Sequence, residues 1–281
     1  MRSLLAMALS LVLFGGTTLV AQPYEGFRGM SLTFDSDRVF YLSPKDRVDV
    51  IVVFNRMGKT AKRQATSGTM LKMIRVIDLK PSESDPGKTI VYFQLNPAEA
   101  EFLEAASHYG SLWLSLRKAG DVEDAPMQFL NWSMILESEL SIVRADAKPT
   151  QRILTRGGRA SDAVLAEVGG RMRESYPALS VPLASDKAMF VRPGDRIDVL
   201  ATVRAGTKSH PITVTVLQNI PVLDNRKSET EAGQNILLLA LNFGEIQYAA
   251  LAWDTAEIQI LSRHKSDEQT SRRDPVNLDK W

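Results

Sequence analysis

From residue 47 the chain reads RVDVIVVF, and from residue 196 it reads RIDVLATV. Runs this rich in β-branched residues predict strands. A turn precedes each: Pro44-Lys45-Asp46 before the first, Pro193-Gly194-Asp195 before the second. Proline presets φ, glycine tolerates positive φ, and aspartate bonds its own backbone. Arg47 and Asp49 lie two apart, as do Arg196 and Asp198, so each pair shares one strand face. Val48, Val50, Ile197 and Val199 take the opposite face, predicted to meet the core. Second strands follow in MLKMIRVID (70–78) and VTVLQNIPVLD (214–224). Third strands, IVYFQL (90–95) and ILLLAL (236–241), are apolar enough to predict burial on both faces.

The period then changes. Asn96-Pro97-Ala98-Glu99 and Asn242-Phe243-Gly244-Glu245 both read N-x-x-E. Asparagine at the N-cap with glutamate three residues on satisfies two backbone donors reciprocally, which predicts a helix start at each place. Pro97 suits the first helical position. The first helix runs toward Gly110 as its C-cap. Strands follow in SLWLSLR (111–117) and AEIQILSR (256–263), whose alternation predicts one wet face. The class is α+β and β-rich, with one late helix per unit.

These paired segments form a tandem repeat. With Met30 set against Leu179, the identities are Ser31/Ser180, Ser36/Ser185, Asp37/Asp186, Pro44/Pro193, Asp46/Asp195, Arg47/Arg196, Asp49/Asp198 and Val50/Val199. Unrelated segments of this length would agree at about one or two positions. After a small shift, residues 69–78 face 215–224 and residues 90–106 face 236–252; then 125–132 faces 274–281, with Trp132 against Trp281. The expected organisation is a leader over 1–21, a first domain over 22–132, a connector over 133–176 and a second domain over 177–281. Each half is long enough to bury a core of its own. Within the connector, AKPTQ (147–151) reads as linker, RILTRGG (152–158) as a short strand and SDAVLAEVGG (161–170) as a short helix.

Leu4–Phe14, LLAMALSLVLF, follows Arg2 and precedes a small residue at Ala21, the pattern of an export signal. Retained, Leu4–Ala21 would instead be a short membrane anchor. Either way the body is expected outside the cytoplasm. A net charge of +1 offers no broad basic face for nucleic acid. With no cysteine, a thiol nucleophile and a zinc–thiolate site are excluded.

Candidate chemistry is sparse. His108, His210 and His264 are scattered, and no G-x-S-x-G, H-E-x-x-H or phosphate-loop spacing occurs. The Asp46/Arg47/Asp49 and Asp195/Arg196/Asp198 clusters read as turn aspartates with a cross-strand or local ion pair rather than acid–base pairs. Trp113, Trp132, Trp253 and Trp281 read as packing residues, with sugar stacking as the other use of such rings. No enzyme activity, cofactor or metal is expected.

The run S-V-P-x(7)-F-V-R-P-G-D-R-I-D-V-L over 180–200, with T-V-L-Q-N-I-P-V-L-D close behind, resembles the CpaB/RcpC family of Flp (Tad) pilus assembly proteins. The first copy resembles the same domain with Lys45 in place of the motif glycine and Ser31-Leu32-Thr33 in place of S-V-P. Family members carry an inner-membrane anchor, a small β-clip domain and one pilus-assembly domain. Too few residues separate Ala21 from the first unit for a β-clip domain, and the pilus-assembly domain stands twice instead. The resemblance implies a periplasmic accessory that works by protein–protein contact with the outer-membrane secretin and other pilus assembly proteins. It also admits a homo-oligomer. The second reading is a module that binds cell-envelope glycan, peptidoglycan above all.

Overall fold

In a computed structural model, residues 23–57, 63–122, 129–137, 176–204, 211–263 and 276–277 are described. In chain order they form β1 (Arg28–Asp35), α1 (Ser36–Val39), β2 (Arg47–Met57), β3 (Arg63–Pro81), β4 (Lys88–Leu95), α2 (Pro97–Tyr109), β5 (Gly110–Leu116), β6 (Phe129–Asn131) and α3 (Trp132–Glu137). Then come β7 (Ala178–Ala184), α4 (Ser185–Ala188), β8 (Arg196–Arg204), β9 (Pro211–Lys227), β10 (Gln234–Ala240), α5 (Phe243–Thr255), β11 (Glu257–Ser262) and β12 (Val276–Asn277). The class is β-rich α+β. The leader segment and the three connector elements read from the sequence lie outside the described residues.

One antiparallel sheet carries both halves, in the order β1-β4-β3-β2-β5-β7-β10-β9-β8-β11, with β6 added to β3 and β12 to β9. The first five strands and the last five repeat one order. The short helices after β1 and β7 carry no obvious sequence signal, being single turns. At the junction only Ser115 pairs with Leu179 and Leu116 with Ala178. β6 and β12 refine the repeat: Leu130 sits opposite Ser67 and Val276 opposite Thr213, so Leu130 corresponds to Val276. Strand pairing with β3 and β9, not the Trp132/Trp281 match, sets that register. Trp281 lies outside the described residues.

The expected pair of private cores is replaced by two shared ones. One gathers Ile197, Val199, Leu237 and most of α5 with Ile51, Val53, Trp113 and Leu130 from the first half. The other gathers Val48, Val50, Val91 and Phe93 with Ala178, Leu223, Leu238 and Ala240 from the second. Over Val48–Val53, β2 therefore has no wet face: Val48, Val50 and Val52 meet one core, while Asp49, Ile51 and Val53 are buried on the other side. Position in the sheet explains the other departures. β5 is interior and buried on both faces at Trp113–Leu116, whereas the edge strand β11 alternates as expected. β10 is buried on both faces, but β4, next to the edge, buries only Val91, Phe93 and Leu95.

Candidate functional site

The repeated turns come first. Lys45 and Gly194 hold matching positive φ, 82° and 88°. The Lys45 N–H donates to Val76 O and the Gly194 N–H to Val222 O, each at 2.8 Å. Asp46 and Asp195 close the turns with side-chain oxygens that accept from the N–H of Ser43 at 2.7 Å and Arg192 at 2.9 Å. Burial pushes the Asp46 carboxyl up, with the Ser43 bond pulling the other way. Pro44 and Pro193 sit at the same exposed place in both turns. Glycine meets the φ requirement without strain, while lysine adopts a region that costs about 1–2 kcal/mol.

Asp49 and Asp198 reach further than a local pair. Asp49 Oδ1 accepts from the Met73 N–H at 2.9 Å and from Arg117 Nε at 2.8 Å. Asp198 Oδ1 accepts from the Asn219 N–H at 2.8 Å, with Arg263 Nε at 3.5 Å. Met73 and Asn219 sit at φ 56° and 58°, in the bulges of β3 and β9. Each aspartate thus pins a left-handed bulge to the arginine that directly follows β5 or β11. The cross-strand ion pair expected here is present in both halves, with Arg117 and Arg263 as the partners, and both pairs are buried. Burial pushes the Asp49 carboxyl up against the pull of Arg117 and Met73. Removing one partner of such a pair costs about 3–5 kcal/mol, because it strands the other charge. Arg47 is exposed, and Arg196 donates to Asn219 O and Oδ1, both at 3.0 Å. Arg117 and Arg263 carried no role in the sequence reading; their signal is an arginine ending both SLWLSLR and EIQILSR.

Both helix starts are capping boxes. Glu99 N–H donates to Asn96 Oδ1 at 2.9 Å and Asn96 N–H to Glu99 Oε2 at 2.7 Å. Glu245 and Asn242 repeat this at 2.8 and 2.7 Å. Gly110 ends α2 in extended backbone rather than a left-handed cap. Its need is space: a Cβ would stand 2.5 Å from Val53 O.

These devices hold a joint between the halves. α1 lies on β7, where Ser180 Oγ donates to Asp37 O at 2.8 Å. The Asp37 carboxylate accepts from Ser228 Oγ and Thr230 Oγ1, both at 2.5 Å, and from the Glu229 N–H at 3.3 Å. Burial raises this carboxyl, but those bonds together outweigh it and hold the group below its usual range. Arg226 stacks on Phe40 at 3.6 Å, and Arg117 on Phe243 at 4.5 Å. On the other side α5 covers β2 and β3. Ser67 Oγ donates to Gln247 O at 2.9 Å, and Gln247 Nε2 to Thr69 Oγ1 at 3.1 Å. Asp37 and Ser180 were visible only as repeat identities.

These contacts join elements of the fold to one another. Among the described residues no cluster of three or more His, Asp or Glu could hold a metal. His108 is exposed and bonds Glu104 at 2.9 Å; His210 and His264 lie outside the described residues. Trp113 is buried, with Arg38 stacked on it at 4.4 Å. Trp132 donates its indole N–H to Thr255 Oγ1 and Trp253 to Pro182 O. No described helix is long and apolar enough to cross a membrane.

No curated protein and no solved structure matches the chain. A family model described as Flp pilus assembly protein RcpC/CpaB does match, in two stretches, residues 19–117 and 171–267. Those stretches hold both turns, both pinned bulges and both capping boxes, and on that match the chain belongs to the RcpC/CpaB family of Flp pilus assembly proteins.

Proposed function

We propose that this chain is a non-enzymatic accessory of the Flp/Tad pilus machinery, working in the periplasm by contact with the outer-membrane secretin and other assembly proteins. The family match across both halves carries the reading. On this reading residues 22–132 and 177–281 are two copies of one assembly domain, and Leu4–Ala21 exports or anchors them. The turn, bulge and cap residues serve as scaffold: they fix strand ends so that a rigid surface meets the partner. Rigidity matters because a pre-ordered surface loses less entropy on binding. Two similar units on one chain also suit a partner built from repeated subunits, by raising effective concentration.

Co-purification from envelope extract tests the proposal. Tagged chain should bring down the secretin, and deletion of the gene should remove Flp pili from the surface. Capture of peptidoglycan with normal piliation would favour the glycan reading instead. That reading draws little from the indoles, since Trp113 is buried and the indole N–H groups of Trp132 and Trp253 are engaged within the fold.

A further inference from the structure

The joint between the halves is not self-matching. The first half offers β5 and α1; the second half receives them with β7 and the loop after β9. Because the two halves repeat one fold, the far end of the second half should carry the same offering surface, and the far end of the first the same receiving one. Both are present, and both are exposed. Asp186 stands where Asp37 stands, on the turn after the first strand, and is exposed. Beyond it Phe190 is 75% exposed, whereas its counterpart Tyr41 is 1% exposed, and Met189 is 64% exposed, whereas its counterpart Phe40 is half-buried. At the other end, Ser82-Glu83-Ser84 repeats Ser228-Glu229-Thr230, the loop that grips Asp37. Ser31 repeats Ser180 and is exposed. Lys80 stands where Arg226 stands, and Phe102, 57% exposed, where Tyr248 is 6% exposed. The strands agree: β1 and β11 are the two ends of the sheet order, and they are the counterparts of β7 and β5.

We propose that copies of this chain associate head to tail through a second edition of the internal joint, with Asp186 of one copy seated in the Ser82–Ser84 loop of the next. β11 then adds to β1 in the register of the internal junction, Leu261 opposite Met30 and Ser262 opposite Gly29. The occupant is another copy because the complementary surface is already present on this chain, with Asp186, Ser31, Ser82 and Glu83 identical to their counterparts in the internal joint. Such an interface pairs unlike surfaces, so it propagates into a ring if the rotation closes and a filament if it does not. It is weaker than the internal joint. Covalent linkage no longer supplies effective concentration, and α2 presents Glu101 and Glu104 where α5 presents Gln247 and Ala250. The inference stands apart from the pilus reading, since it concerns the chain alone.

Light scattering on the purified chain tests it first. The mass should rise with concentration, and Asp186→Lys with Phe190→Ala should return it to monomer, raising the dissociation constant by about tenfold or more. Both residues are exposed, so the melting temperature should not move. The absence of cysteine makes cross-linking clean. Asp186→Cys chains mixed with Ser84→Cys chains should join through a short thiol-reactive linker, while either alone should not. Asp37→Cys with Thr230→Cys in one chain gives the internal control. A monomer at every concentration, an oligomer that the double variant leaves intact, or Asp186→Cys chains joining to each other would overturn the proposal.

Discussion

α2 and α5 begin with the same capping box and occupy the same place in the order of their halves, yet α2 buries only Leu103 while α5 buries every residue from Glu245 to Ala252. The aligned residues show why. Glu101 and Glu104 in the first helix become Gln247 and Ala250 in the second. α2 covers one side of an end unit, and its outer face stays wet. α5 lies where the halves meet, against β2 and β3 on one side and its own strands on the other. The same contrast separates the edge strand β11 from its counterpart β5. The two family-matched stretches thus share their local devices and differ where one half buries a surface against the other.

The largest test of that contrast is to separate the halves. A fragment ending at residue 137 would lose Ala178, Leu223, Leu238 and Ala240 from one core and uncover Ile51, Val53 and Trp113. It should show no cooperative unfolding transition by circular dichroism. A sharp transition would mean that the first half is self-sufficient after all.

Substitution at one equivalent pair comes next. Tyr248→Ala should cost about 3–5 kcal/mol in urea unfolding, and Phe102→Ala less than about 0.5. Equal effects would erase the distinction between the two helices.

A smaller effect is expected at the turns. Lys45→Gly should stabilise by about 1 kcal/mol, because it relieves a positive φ at some cost in unfolded-chain entropy; Gly194→Lys should do the reverse. A pair of thermal melts decides it.

The smallest effect is on pH dependence. Asp37 is held below its usual range in the folded state, so its contribution is complete above that range and is lost as acid protonates it. Asp37→Asn should flatten the fall in stability on the acid side. An unchanged slope would mean that its contacts with Ser228 and Thr230 contribute nothing measurable.

Much of this was readable in the residues. The N-x-x-E signature is a local rule, since both members of the box lie within one turn, and it placed both helices. Pro-x-Asp turns before β-branched runs are equally local. The repeat disclosed which segments correspond, and the family motif lies within one of them. What the pattern did not disclose was partnership at long range. Asp49 and Arg117 are far apart in sequence, and nothing in either neighbourhood says that they meet, or that the meeting place is dry. β5 reads as half-wet because alternation reports only a strand's own side chains, whereas burial depends on what is laid over both faces.

The sequence by itself determined the class, the repeated turns, the helix starts and the family, because each rests on short-range sterics, hydrogen bonds or a contiguous motif. Only the tertiary structure decided that the units share their cores, that Asp37 grips the second half and that Asp186 is left exposed at the end. The physical reason is that identical residues have identical local preferences, while burial is a property of neighbours. Where a neighbouring unit exists, Asp37 and Ser180 are a joint; where none does, Asp186 and Ser31 are surface.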